Sequence, residues 1–404
     1  NQIDAYVGLF SCDLLLCHLL NPLNLAYRSG MSIETEYLNF DTIGQSGSRT
    51  GSRTSSRTGQ ITLNRPKALH ALTTTMCHQI RDKLEQYWHD DTIDQVILCA
   101  SEGRAFCAGG DIREALESMQ RKSPETLDYF EAEYAMDMII AGFPKPLICI
   151  ADGLTMGGGS GLLFNSSHPV ITDRIDFTMP ETGIGLFPDV GASIFLRKAP
   201  PAVAAFLGMT GWRIGAGDMA HYGIAPRVID ADSHDALIRA VINTPDTGGI
   251  DAVLDGFRCE VDEKPLVDEE EWITRHFSKP DPVSIRAGLE GDDHPMAEKT
   301  RHALDTRCPL SIAVAHRLLT DPQMEPATIV DAIRQDYALA LRMIRHPDFV
   351  EGVRALLIDK DNAPAWQPAS LSGVTGAMVE AIVTPEDAPV LAIPEASVST
   401  KGKA

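Results

Sequence analysis

Residues 94–112 read DQVILCASEGRAFCAGGDI, and residues 146–161 repeat the same plan as PLICIADGLTMGGGSG. Each opens on a short apolar run that ends in small residues, the pattern of a strand buried on both faces, and each then meets adjacent glycines. Helical periodicity surrounds them: Thr73–His89 carries Met76, Ile80, Leu84 and Trp88 on one face, Ser123–Ala141 reads as a second helix, and Pro169–Thr172 reads as a further strand. Strands that alternate with helices imply an α/β fold with mostly parallel pairing.

Outward from this core the pattern changes. Beyond about residue 255 the strand signals fade into an acidic run, Asp262–Trp272, and long helical stretches over Pro309–Ile344. Upstream, residues 44–60 spell GQSGSRTGSRTSSRTGQ, a repeat with nothing to bury, which predicts a flexible loop or linker. Four parts are therefore expected: an N-terminal extension with the SRT loop (1–58), an α/β core (59–255), a helical region (256–370) and a flexible tail (371–404). Within the first part, Leu9–Leu20 has the length of a signal-peptide apolar segment, but Asp13 interrupts it and no basic residue precedes it. Met31 opens a more ordinary N-terminus, so residues 1–30 read as an upstream extension.

The 404 residues are 44% hydrophobic and 23% charged, which excludes a largely disordered chain or a collagen. A net charge of −21 repels phosphate backbones and anionic lipid, and argues against nucleic-acid and membrane-surface roles. No stretch reaches the ~18 apolar residues of a membrane span. An anionic ligand would need local positive charge. Between Asp41 and Asp82 there is no acid, while Arg49, Arg53, Arg57, Arg65, Lys67 and Arg81 cluster there. The eight cysteines contain no CxxC and the twelve histidines no HxxxH or HExxH, which points to a reduced, cytoplasmic protein with no dedicated metal site.

Three glycine-rich segments carry chemistry. Adjacent glycines at Gly109-Gly110 and in GGGSG at 157–161 leave backbone amides free to donate at strand ends. Neither spells GxGxxG, so a dinucleotide turn does not fit. Two such amides converging on one point make an oxyanion hole, where loss of one donor typically costs about 3–4 kcal/mol of barrier. The third segment, MPETGIGLFPDVG at 179–191, holds Glu181 and Asp189 in an otherwise apolar loop. Desolvation raises the pKa of such carboxylates into the range useful to an acid, base or nucleophile.

Taken together, ITLNRPKALHAL (61–72), GRAFCAGGDI (103–112), ADGLTMGGGSG (151–161), FTMPETGIGLFPDVG (177–191) and LGMTGWRIGAGDMAHYGIA (207–225) resemble the crotonase (enoyl-CoA hydratase/isomerase) superfamily. MPETGIGLFPDVG and the run HPDFVEGVRALLIDKDNAPAWQP (346–368) make the chain similar to its 3-hydroxyisobutyryl-CoA hydrolase branch. The resemblance implies a crotonase-type spiral of ββα turns with a helical C-terminal region. It also implies an acyl-CoA substrate, no cofactor beyond that CoA, and room for a homo-oligomer. By the same resemblance Gly110 and Gly158 hold the thioester oxygen, Glu181 and Asp189 are the catalytic acids, and Glu133 contacts substrate. Lys67, Ala68, Leu69 and Ala108 receive the adenine end, with Arg65 and Lys67 supplying charge for the phosphates.

A two-glutamate hydratase of this superfamily has its second glutamate where this chain has Gly161. The resemblance therefore favours hydrolysis of a short 3-hydroxyacyl-CoA, as in valine breakdown. An enoyl-CoA hydratase or isomerase and a non-catalytic CoA-binding protein remain the alternatives. Two departures stand out. The SRT repeat interrupts the region where a strand pair is expected, and His70 replaces a customary asparagine. Cys107 reads as a small buried residue rather than a nucleophile.

Overall fold

The computed structural model describes residues 37–44, 57–115, 125–244, 247–384 and 391; the remaining expectations for residues 1–36, 45–56 and the end of the tail lie outside these. Strands come in pairs. β1 (Leu38–Gly44) and β2 (Arg57–Leu63) form a hairpin, followed by β3 (Ile93–Ala100) with β4 (Ala105–Cys107), β5 (Leu147–Ala151) with β6 (Leu154–Met156), β7 (His168–Thr172) with β8 (Asp176–Thr178), and lastly β9 (Val228–Ile229). The first member of each later pair joins a six-stranded sheet, β1-β2-β3-β5-β7-β9, and the second joins a three-stranded sheet, β4-β6-β8. Among the described strands β1 and β2 pair antiparallel, and the other strand-to-strand ladders are parallel. The chain thus winds as a spiral, each turn feeding both sheets.

Alternation along β3 and β5 explains their unbroken apolar sequences. Val96, Leu98, Leu147 and Cys149 face the main core, while Ile97, Cys99, Ile148 and Ile150 face a second core under residues 234–254. Both faces are covered, as parallel sheets require. Helix α1 (Thr74–His89) starts where Thr73 Oγ1 accepts the Met76 amide and buries Met76, Ile80, Leu84 and Trp88, as the periodicity predicts. Helix α2 (Glu125–Ala141) packs against it.

The repeat does not dissolve the hairpin. Its two ends, Gly44 and Arg57–Gln60, are strand residues in register from Leu38 opposite Leu63 to Gly44 opposite Arg57, so the linker expectation is corrected there. Tyr87 of α1 fixes them. Its ring lies so close to Gly59 that a β-carbon there would sit 2.6 Å from it, and its hydroxyl donates to the Asp41 carbonyl at 2.9 Å. The expected tail is likewise helical over Gly376–Val383, with Ile382 and Val383 buried, because its apolar positions dock on the C-terminal helices. Those include α5 (Pro309–Thr320) and α6 (Ile329–Met343); before them come α3 (Gly158–Phe164) and α4 (Pro201–Thr210), the latter packed on α5. The described residues from Tyr37 to Thr384 fall in one compact unit. Among the described residues no helix is long and apolar enough to cross a membrane.

Candidate active site

The two glycine loops meet. The Leu72 amide donates to the Gly109 carbonyl (2.8 Å), the Asp111 amide to Leu72 (2.7 Å) and the Ala108 amide to Leu69 (3.0 Å), zipping the NRPKAL turn onto the AGGD loop. Leu72 and Gly110 thereby form a parallel bridge that uses the neighbours' amides and turns the N–H of Gly110 away from the pairing. Across from it, a β-carbon on Gly109 would lie 3.4 Å from the nitrogen of Gly158. Gly158 is the first residue of α3, so its N–H has no acceptor within its own helix.

Helix α2 runs behind both amides. A β-carbon on Gly110 would strike the Tyr129 hydroxyl at 2.0 Å, and one on Gly158 would strike Glu133 Oε1 at 2.0 Å. Tyr129 donates to that same Oε1 at 2.9 Å. Only glycine lets the two amides approach this buried pair. One turn along, a β-carbon on Gly161 would lie 2.7 Å from Asp137 Oδ1.

The acids of the third segment complete the ring. Glu181 starts a 3₁₀ turn, Glu181–Ile184; its Oε1 would lie 3.1 Å from a β-carbon on Gly157, and its buried Oε2 has no hydrogen-bond partner among the described residues. Asp189 Oδ2 accepts from the Tyr134 hydroxyl at 2.5 Å. The C-terminal region supports the loop from outside. Arg307 Nη1 donates to the Pro180 carbonyl (3.0 Å) and Thr182 Oγ1 (2.9 Å), and the Cys308 amide donates to the Thr182 carbonyl (2.9 Å).

Glu133, Asp137, Glu181, Asp189 and Asp336 are all buried, so desolvation governs their protonation. Burial, then the charge of Asp189, raises Glu133 to about 8 against the pull of the Tyr129 hydroxyl. Burial raises Asp189 to about 6, with the Tyr134 hydroxyl and its own amide opposing. Glu181 is pushed well above the ordinary carboxylate range by burial and by Asp189, while Arg307 opposes. Asp137 rises for the same first reason, then through Glu133 and Asp189. At neutral pH Glu133 is therefore largely protonated and Asp189 largely ionised, while burial disfavours the ionised forms of Glu181 and Asp137. Cys107 is buried with its thiol raised to about 12 by desolvation, as expected of an inert core cysteine.

The sequence model described as enoyl-CoA hydratase/isomerase matches residues 58–383. The chain belongs to the enoyl-CoA hydratase/isomerase family. Among curated members it is 34% identical over 343 residues to the mitochondrial 3-hydroxyisobutyryl-CoA hydrolase of Danio rerio, covering 83% of this chain and 89% of that protein. The Homo sapiens protein of the same name is 35% identical over 324 residues, 78% of this chain and 83% of the relative. Among solved structures, an enoyl-CoA hydratase from Rhodobacter sphaeroides aligns with TM-score 0.75 and 35% identity over 82% of this chain and 96% of its own. A carnitinyl-CoA dehydratase from Mycobacterium thermoresistibile gives 0.74 and 33%, over 83% of this chain and 96% of its own. The relatives are named as mitochondrial proteins, which lends the cytoplasmic expectation no support.

Within this family member the residues singled out from sequence fall into two groups. Gly110, Gly158, Glu133, Glu181 and Asp189 converge around the loops just described; Lys67 is exposed, and Ala68, Leu69 and Ala108 lie half-buried along the zipped turn beside them. Arg65 also has a structural role: its guanidinium is held by Asp111 (2.8 Å) and the Ala71 carbonyl (3.0 Å), and so braces the loops. His70 is buried at φ +54°, a left-handed conformation asparagine also tolerates, and its Nδ1 accepts the Arg65 amide at 2.9 Å. Sequence reading missed Tyr129, Tyr134, Asp137, Arg307 and Asp336. A signal for the first group existed: Tyr129, Glu133 and Asp137 are spaced by four, one stripe on a helix otherwise apolar around them.

Proposed function

We propose that the protein hydrolyses a short 3-hydroxyacyl-CoA thioester, in the first place 3-hydroxyisobutyryl-CoA, to the hydroxy acid and free CoA. The observation that carries this reading is at Gly161, where the Asp137 carboxylate occupies the space a longer side chain would need. A second glutamate for adding water across a double bond has no room there. Glu181, beside Gly157, and Asp189, close enough to raise Glu133, remain as the acids of the site.

In this reading the thioester oxygen sits on the N–H groups of Gly110 and Gly158, which stabilise it as it gains charge. In its ionised form, which burial and the charge of Asp189 disfavour in the free enzyme, Glu181 either attacks the carbonyl carbon or takes a proton from the attacking water. By both routes the C–S bond breaks with its electron pair on sulfur, the sulfur takes a proton, and one water is consumed. Glu133, largely protonated at pH 7 with its pKa of about 8, lies beside Gly158 and donates to the acyl group. Asp189 orients water or the 3-hydroxyl. Lys67, Ala68, Leu69 and Ala108 receive the nucleotide end, and no cofactor beyond the substrate's CoA enters.

The test is thiol release, followed with a thiol-reactive dye, from (S)-3-hydroxyisobutyryl-CoA beside crotonyl-CoA, with the enoyl absorbance recorded in parallel. Rapid release from the hydroxyacyl thioester alone is expected. A second reading, an enoyl-CoA hydratase, draws on the solved relative of that name at 35% identity. Loss of the enoyl band without thiol release would replace the first reading by the second.

A further inference from the structure

The turn that carries Asp189 is strained and is held from a distant part of the chain. Directly after Asp189, Val190 has φ +50° and Gly191 φ +91°. A left-handed β-branched residue is a genuine outlier, and such strain, of order 1–3 kcal/mol, persists only where the surroundings over-determine it. Helix α6 supplies the constraint. Its Asp336, fully buried, accepts the Gly191 amide on Oδ2 at 2.8 Å. Ile329, at its start, packs so closely that a β-carbon on Gly191 would lie 2.6 Å from its Cδ1. Tyr337, which follows Asp336, packs its ring 5.3 Å from Tyr134, whose hydroxyl holds the Asp189 carboxylate. The same helix thus grips Asp189 at both ends, backbone through Asp336 and carboxylate through Tyr337 and Tyr134.

We propose that Asp336 is a positioning residue for Asp189, anchoring the left-handed Val190–Gly191 turn so that the carboxylate stays on the Tyr134 hydroxyl within the acid cluster. This rests on the hydrolase reading in which Asp189 acts on substrate. Asp336 touches no reacting atom in that account; it works as an acceptor for one buried N–H, and an unsatisfied N–H there would release the turn.

Four variants of the full chain test it with the thiol-release assay. Asp336→Ala is expected to lower kcat about 30-fold with KM within about twofold, the signature of lost transition-state alignment without lost binding. Asp336→Asn keeps an acceptor oxygen and should stay within about threefold of wild type. In a Tyr134→Phe background, Asp336→Ala should cost less than about threefold more, because both changes act through the same carboxylate. An unchanged kcat in Asp336→Ala, an Asn variant as impaired as Ala, or fully additive losses would each overturn the proposal. Asp189→Asn separates this from the parent reading: full activity there sinks the role of Asp189 itself, whereas an inactive Asp189→Asn beside a fully active Asp336→Ala sinks only the positioning role. Should the alanine variant fail to fold, amide exchange at Gly191 of the wild-type protein decides. Protection at the level of the helix core supports the anchor, and exchange at the rate of a free loop refutes it.

Discussion

The glycine loops and the acid loop reach the same point by different means. Gly110 and Gly158 sit at the ends of sheet strands and are fixed by contacts close at hand: the Leu72 bridge for one, the start of α3 for the other, and α2 behind both. The loop from Met179 to Gly191 has little regular structure and leans on residues more than a hundred positions away, Arg307 and Cys308 at Thr182 and Asp336 at Gly191. A β-carbon on Gly185 would also meet the Asp348 carbonyl at 2.6 Å, so α6 and its neighbours close over the loop from several sides. The hydrogen-bond donors are set by the spiral, and the acids by the C-terminal helices. Preorganised dipoles can be local because backbone geometry supplies them; a buried carboxylate needs partners, and these come from wherever the fold brings them.

Perturbing each side should separate the two. The largest effect is expected from Glu181→Gln, a loss of at least about 10³-fold in kcat with CoA binding retained by calorimetry. Near-normal turnover in that variant would break the assignment of the acid loop to chemistry. On the donor side, Gly158→Ala forces a methyl onto Glu133 Oε1, 2.0 Å away, and should lower kcat about 10²- to 10³-fold. If the alanine enzyme turns over normally, the clash with Glu133 does not shift the amide, and the tight seating of Gly158 on that side chain is not needed for turnover.

Gly161→Glu sharpens the contrast between hydrolase and hydratase. The added side chain meets Asp137 Oδ1 already at its β-carbon, 2.7 Å away, so the variant should lose about 2–4 kcal/mol of stability in denaturant titration and gain no hydration of crotonyl-CoA. A stable variant that hydrates the enoyl substrate would show that the space is available after all.

The acid cluster also makes a pH prediction. Glu133 rises from an ordinary 4.5 to about 8 in the folded protein. The folded state therefore keeps a proton that the unfolded chain gives up, and the stability tied to it is lost as pH climbs from about 4.5 to 8. Glu133→Gln cannot lose that proton, so its melting temperature should fall less steeply between pH 5 and 8, with the two proteins closest at the acidic end. Parallel melting curves across that range would remove Glu133 from the protonated set. The smallest expected effects lie at the loop edge. Lys67→Ala should raise KM a few-fold, more at low salt than at high, with kcat kept, whereas Arg65→Ala should also lower the melting temperature because it releases Asp111 and Ala71. Equal melting temperatures for the two variants would mean that Arg65 braces nothing.

The family resemblance carried the ββα pairing and Glu133; the residues themselves determined the buried strands, the two glycine loops, and Glu181 and Asp189 as two carboxylates of one apolar loop. Those features are local: a buried strand must be apolar, adjacent glycines leave amides free, and a carboxylate in an apolar loop is conspicuous within a few residues. The strand ends inside the SRT repeat were hidden because their partners, Tyr87 and the facing strand, lie elsewhere, and a Gly/Ser/Thr/Arg run carries no apolar alternation of its own. Tertiary structure alone decided that Arg65 pairs with Asp111, that Asp137 fills the space at Gly161, and that Asp336 reaches Gly191. Hydrogen bonds and steric exclusion between residues 24 to 145 positions apart have no signature in spacing, since they exist only once the spiral and the C-terminal helices have packed together.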